Sequence, residues 1–329
     1  MEEKNIGAEE LERCRAVAER CRTEARKRLV GQERLVDGIL TALVAGGHVL
    51  LEGVPGLAKT LAVRTFSEIS GLDFKRIQFT PDLLPADVSG TLMYEPNKGA
   101  FSVRKGPIFT NVVLADEINR APAKVQSAML EAMEERQVTI GEESYKLAEP
   151  FFVLATQNPV EQEGTYNLPE AELDRFLMKL VVGYPSAEEE VQIVKTMGRA
   201  AEIPVARALS AADLKLFKSL VPAVVCDDAI AEYIVKIVSV TRPSAGRASE
   251  HDVTRYIALG ASPRAGISLL QCARSTALLA GRSFVLPEDI KAVALPVLRH
   301  RLVLSYEAAS DGVGADEIIG KILDFVPLP

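Results

Sequence analysis

The chain has 329 residues, enough for two domains, with 48% hydrophobic and 25% charged residues, an ordinary globular balance. Its formal net charge is −7, and neither half carries the basic excess of a generic nucleic-acid binder, so no nucleic-acid partner is expected. Four cysteines without a CxxC pair cannot frame a chain this long, no apolar run nears the ~20 residues of a membrane span, and the acidic start has no signal-peptide core; a reducing, cytoplasmic setting fits.

Residues 8–29 place Leu11, Cys14, Ala18, Cys21, Ala25 and Leu29 at steps of three and four, one face of a helix in which the cysteines serve as small buried hydrophobes. A second helix is expected over 33–46, stopped by Gly46-Gly47. Short apolar runs follow: HVLLE (48–52), FKRIQF (74–79), VVLADE (112–117), FFVLAT (151–156) and FLMKLVVG (176–183). Separated by helices, these five runs predict an α/β fold with a parallel five-stranded sheet covered on both faces. Two hairpin-like insertions interrupt the rhythm. One spans 91–106 around Asn97-Lys98-Gly99, and the other spans 137–149 with Gly141 in its turn. After Tyr184-Pro185 the pattern predicts helices near 187–199, 210–220, 227–241, 264–280 and 287–295. The expected division is an α/β domain over 1–185 and an all-helical domain over 186–329.

Residues 53–60 read GVPGLAKT, between a buried strand and a helix. The spacing of Gly53, Lys59 and Thr60 fits a phosphate-binding loop, but Ala58 stands where the pattern has glycine. Such a loop aims backbone N–H groups at phosphate oxygens, with Lys59 on the β and γ phosphates and Thr60 on Mg²⁺. A methyl at position 58 is tolerable if that residue keeps a right-handed conformation and Gly53 and Gly56 take the unusual angles. A structural turn with a surface lysine would look the same in the octapeptide alone.

The run VVLADE ends in Asp116-Glu117, at the height where such sheets present their ligand groups. Asp116 suits a magnesium partner of Thr60, and Glu117 suits a base for an attacking water. The run FFVLATQNP places Gln157-Asn158 at the same height, where an amide could bond the water or the γ-phosphate, or merely form a turn. Arg175 and Arg264 are the arginine candidates, with a surface salt bridge as the plainer role for each.

Taken in order, EGVPGLAKT, FTPDLLPADVSGT, GPIFTNVVLADEINRAPAKVQSAMLEAMEERQVT, PFFVLATQNPVEQEGTYNLPEAELDRFLMK and LPVLRHRLVLS resemble the MoxR family of AAA+ ATPases, from about Val30 to Ser305. The family's own loop has alanine at the position of Ala58. The resemblance implies that Gly53, Val54, Pro55, Gly56, Leu57, Ala58, Lys59, Thr60 and Leu61 hold ATP, with Thr60 and Asp116 on Mg²⁺. Glu117 would be the catalytic base, Asn158 sensor one, Arg175 an arginine finger acting on the neighbouring subunit, and Arg264 sensor two in the lid. Val30, Gly31 and Gln32 would lie beside adenine, and Asn119 and Arg120 would face a subunit interface. The insertions, near 88–108 and 137–149, would line the central face of a hexameric ring. A protein client is implied, among relatives often one with a von Willebrand factor A domain. Two other functions share the sequence: a nucleotide-dependent switch with little turnover, and a DNA-directed AAA+ protein.

Overall fold

The computed structural model describes residues 6–54, 56–158, 164–196, 198–243 and 253–329. Helix α1 (Ala8–Arg26) buries Cys14, Val17, Ala18, Cys21 and Ala25 on one face, as the three-and-four spacing requires. Helix α2 (Glu33–Ala45) stops at Gly46, whose φ of 77° suits a residue without a Cβ. Strand β1 (His48–Glu52) runs into the glycine loop and α3 (Lys59–Ser70). Strand β2 (Phe74–Gln78) leads through the short α4 (Pro85–Ser89) to a hairpin of β3 (Gly90–Glu95) and β4 (Ala100–Lys105). Next come β5 (Val112–Asp116), α5 (Ala123–Glu135) and a second hairpin of β6 (Gln137–Ile140) and β7 (Glu143–Lys146). Strand β8 (Phe152–Gln157), α6 (Glu170–Leu173) and β9 (Phe176–Val181) follow.

Strands β2, β5, β8, β1 and β9 form one parallel sheet in that order. Their uninterrupted apolar runs suit it, because helices cover both faces and neither can be polar. One cluster of buried side chains joins α1, α2 and α3 to the sheet and continues into the C-terminal helices; a second lies on the opposite face beneath α5 and the hairpins. Since the strands are parallel, their C-terminal ends share one rim. The glycine loop, Asp116-Glu117 and Asn158 all leave the sheet there.

From α7 (Ala187–Lys195) onward the described residues are mainly helical: α8 (Ala211–Leu220), α9 (Asp228–Val240), α10 (Pro263–Leu279), α11 (Pro287–Leu298), α12 (Tyr306–Asp311) and α13 (Ala315–Phe325). It also holds a small antiparallel ribbon of β10 (Ile257–Leu259) and β11 (Val303–Leu304), too short to leave a periodic trace in the sequence. Three consecutive residues after α11 fasten this region to β9. Arg299 Nη1 donates to the Lys179 carbonyl at 3.0 Å and His300 Nε2 to the Phe176 carbonyl at 2.9 Å. Arg301 donates to the carbonyls of Phe176 and Leu177 at 2.8 and 3.2 Å. These bonds cover part of the sheet's outer edge, whose groups would otherwise lack partners.

His48, at the start of β1, is a core residue. Its Nε2 donates to the Met133 carbonyl and its Nδ1 accepts from the Val153 N–H, both at 3.1 Å. Burial pushes its pKa down to about 4, so the ring is neutral at pH 7.

Candidate active site

The glycine loop is tied down where it leaves β1. Lys179 pairs with Glu52 at 2.6 Å, and the Gly53 N–H donates to the Gln157 carbonyl at 3.4 Å. A Cβ on Gly53 would stand 2.8 Å from the Val182 carbonyl oxygen, so only glycine fits between the strands. Gly56, at φ 86°, faces open space. Lys59 Nζ donates to the Gly53 carbonyl across the loop. Thr60 is exposed on the first turn of α3, Leu61 packs against the core, and Val54 and Leu57 are half-buried. Pro55 lies outside the described residues.

Ala58 departs from expectation. Its φ and ψ are 56° and 17°, left-handed rather than right-handed. The chain must reverse just before α3 to turn the helix's first N–H groups toward the loop mouth. The reversal falls on Ala58, at a cost of about 1–2 kcal/mol for a residue with a Cβ. Glu117 is also left-handed, at φ 57°. Among the described residues Arg136 is the remaining non-glycine with positive φ, and it caps α5. Two left-handed non-glycine residues thus stand at the same rim of the sheet, one before α3 and one after β5, and such strain persists where the surroundings over-determine it.

The acidic pair is held by neighbours the sequence reading did not identify. Thr156 donates to Asp116 Oδ1 at 2.6 Å and accepts from the Glu117 N–H at 2.8 Å, so one hydroxyl orients both residues. Arg76 grips Asp116 Oδ2 through Nε at 2.9 Å and Nη2 at 2.6 Å. Gln78 Nε2 and Arg120 Nη1 donate to Glu117 Oε2 at 2.8 and 3.0 Å, and Arg76 bonds Gln78 at 2.5 Å. The register explains this network. Gln78 lies opposite Asp116 in the β2–β5 pairing, and Arg76 is two residues back on the same face. The available signal was Arg76 and Gln78 alternating with apolar residues in FKRIQF.

The donor set fits magnesium arriving with phosphates. Thr60 and Asp116 offer hard oxygen atoms. No group of three or more acidic, histidine or cysteine side chains able to hold a metal occurs among the described residues. An ion here would take its other ligands from water and phosphate, as Mg²⁺ commonly does. Asn158 is buried at the end of β8. Val30, Gly31 and Gln32 are half-buried against the start of α7, where Glu189 covers Gly31 so closely that a Cβ would lie 2.3 Å from its carboxyl carbon. Asn119 does not face outward: it is 2% exposed, because the 3-10 turn Ile118–Arg120 folds it inward, where its carbonyl accepts from the Tyr166 N–H at 2.7 Å.

The two arginine candidates stand elsewhere. Arg175 Nε lies 3.2 Å from Glu134 of α5, and Arg264 Nη1 lies 3.5 Å from Asp174 Oδ2. Asp174 and Arg175 immediately precede β9, whose Phe176 pairs with His48 at the start of β1. The glycine loop leaves the other end of β1, about 17 Å away at ~3.3 Å per residue. Arg175, and Arg264 through its contact with Asp174, therefore both lie at the rim opposite the chain's own loop.

Comparison with known proteins agrees with this fold. The model of the ATPase family associated with various cellular activities (AAA) matches residues 48–178, and the AAA lid domain matches residues 249–322. The chain is 48% identical to chaperone MoxR1 of Mycobacterium tuberculosis, over 98% of this chain and 85% of that protein. It is 31% identical to protein MoxR of Paracoccus denitrificans, over 92% and 93%. The crystal structure of a protein assigned as an ATPase, from Cytophaga hutchinsonii, superposes with a TM-score of 0.88 at 46% identity, covering 98% of this chain and 97% of that one. With the strand order, the glycine loop and the acidic pair in place, these likenesses make the chain a member of the MoxR family of AAA+ ATPases.

Proposed function

We propose that this chain hydrolyses Mg²⁺-ATP within a ring of copies of itself, six by family resemblance, and uses the cycle as a chaperone to remodel a protein client. Residues 1–185 form the nucleotide-binding domain and 186–329 the lid. Backbone N–H groups from Gly53 to Leu61 cradle the phosphates, and Lys59 leaves the Gly53 carbonyl to meet the β and γ oxygens. Thr60 and Asp116 hold Mg²⁺, which neutralises phosphate charge. Glu117 takes the proton of the attacking water, Asn158 orients that water, and Val30, Gly31 and Gln32 flank adenine.

The observation that carries this reading is the separation of the two halves of the chemistry. The loop and acidic pair occupy one rim of the sheet, while Arg175 and Arg264 occupy the other. Head-to-tail packing of copies brings the rims together, so each pocket receives its arginines from the next chain. The client surface in this reading is the β3–β4 hairpin, which exposes Leu92, Met93, Tyr94 and Phe101. The relative named as a chaperone supports the client role, and a von Willebrand factor A domain protein is the proposed client class.

One observation favours a nucleotide-dependent switch with little turnover: both carboxylates are engaged by side chains of their own chain. Steady-state hydrolysis separates the two readings. In Glu117→Gln the ATP affinity should persist while turnover falls at least ~100-fold, since the amide cannot accept the proton. Turnover at the wild-type rate would remove Glu117 from catalysis.

A further inference from the structure

Asp174 lies between two arginines that behave differently. Arg301 Nε donates to its Oδ1 at 2.7 Å. The Arg301 side chain is 3% exposed and also bonds the carbonyls of Asp174, Phe176, Leu177 and Val297 and the Ser268 hydroxyl. That arginine cannot move without leaving a buried charge unpaired. Arg264, on the other carboxylate oxygen, is 57% exposed and 3.5 Å away, a loose contact that a phosphate could replace. Asp174 is also the residue directly before Arg175, whose guanidinium rests on Glu134.

We infer that Asp174 is a positioning residue: anchored by Arg301, it draws Arg264 to the side of Arg175, so that the two cations reach the neighbouring chain's phosphates as a pair. The charges make this arrangement necessary. Arg264 and Arg301 repel one another, and Asp174 is the carboxylate that bonds both. Without its negative charge, Arg264 swings away from Arg301 and from Arg175. Asp174 itself touches no nucleotide, because it lies at the rim far from its own loop and behind the arginines it directs.

This inference rests on the ring-ATPase reading, and the test keeps the two apart. Full-length Asp174→Asn is compared with wild type, and the same substitution is made in an Arg264→Ala background. Turnover is followed by release of labelled phosphate, nucleotide affinity by a fluorescent ATP analogue, and folding by thermal unfolding. The expected result is unchanged affinity, since the chain's own loop is remote, with kcat about tenfold lower from misplacing a contact made in the transition state. Asp174→Asn should then cost nothing further in Arg264→Ala. A tenfold loss in both backgrounds would overturn the inference and make Asp174 only an anchor for the lid. Unchanged kcat in a folded Asp174→Asn would overturn it too. Should Asp174→Asn fail to fold for want of a partner for Arg301, Asp174→Glu keeps the charge and displaces the carboxylate by one methylene. A kcat loss confined to the Arg264-containing background supports the inference; no loss, or equal loss in both, refutes it. Loss of turnover in Glu117→Gln together with either refuting result means that this inference has failed and the ring-ATPase reading stands.

Discussion

Acid should loosen this protein through His48 well before its carboxylates titrate. The folded ring has a pKa of about 4 against an ordinary 6.5, because burial disfavours its charged form. A group whose folded value is depressed in this way binds protons in the unfolded state first, so stability falls as the pH drops below 6.5. Between pH 7.5 and 5 the linkage integral for one such ring is about 2 kcal/mol, a sizeable part of the ~5–15 kcal/mol that holds a domain together. His300 acts in the same direction: it is fully buried and beside Arg301, and burial holds its pKa well below the ordinary value. Two carboxylates stay out of this window. Glu68 is held low by its bond to Arg28; Asp213 is raised by burial but lowered more by Ser210 and Arg13. Both begin to lose their contribution as the pH falls through the ordinary carboxylate values of 4.5 and 3.8, below this window. Urea unfolding at constant ionic strength should therefore show a falling midpoint from pH 7 to 5. His48→Gln, whose amide can still accept from Val153 and donate to Met133, should flatten that fall by about 1.2 kcal/mol between pH 6 and 5. A His48→Gln profile parallel to wild type across this range would refute the assignment of a neutral, buried ring.

Lys59→Ala should lose most ATP binding in equilibrium titrations with a fluorescent analogue, because a charge-assisted contact of about 1.5–3 kcal/mol disappears; unchanged affinity would discard the loop assignment. Arg175→Ala should bind ATP normally and hydrolyse it at least ~1000-fold more slowly. Mixed with Glu117→Gln under conditions of subunit exchange, it should recover activity at interfaces where an Arg175→Ala pocket meets an intact Arg175. Activity at the mutant baseline at every ratio would place Arg175 in its own chain's site or in a purely structural role, provided that titrating Glu117→Gln into wild type shows no stalling of whole rings by one dead interface. Gln78→Ala frees Glu117 from one of its two restraints. With about 0.5–1.5 kcal/mol less to overcome, kcat should rise roughly two- to tenfold at saturating Mg²⁺-ATP; a fall would mean that Gln78 helps aim the carboxylate instead.

The strands could be read from the sequence because apolar runs are local, and the bounds of HVLLE and FKRIQF differ from β1 and β2 by at most one residue. The placement of Gly53, Thr60 and Asp116 at a loop, a helix start and a strand end was legible because these follow one another along the chain. Strand order was not. It is set by which runs pair, and the pairing of β2 with β5 alone brings Arg76 and Gln78 to the acidic pair. Ala58 misled for a related reason, since a left-handed residue before α3 is demanded by the loop's reversal and leaves no mark in composition. The position of Arg264 depended on where α10 docks, which no periodicity encodes. Arg301, within LRHRL, has the look of a surface basic residue; its burial becomes tolerable only beside the unpaired edge of β9.

The fastening of residues 299–301 to β9 has a mechanical corollary. Prising the helical region from the sheet at this seam breaks bonds from Arg299, His300 and Arg301 to strand carbonyls. At about 1.5–3 kcal/mol for a bond to a charged donor, even two of them set an opening cost near 4 kcal/mol, or about one molecule in a thousand. Sheet and helices on this side therefore move as one stiff body. In the ring proposed above, the joints that yield would lie at the contacts between copies, and strain raised in one pocket would reach the next chain undiminished by slack within the first.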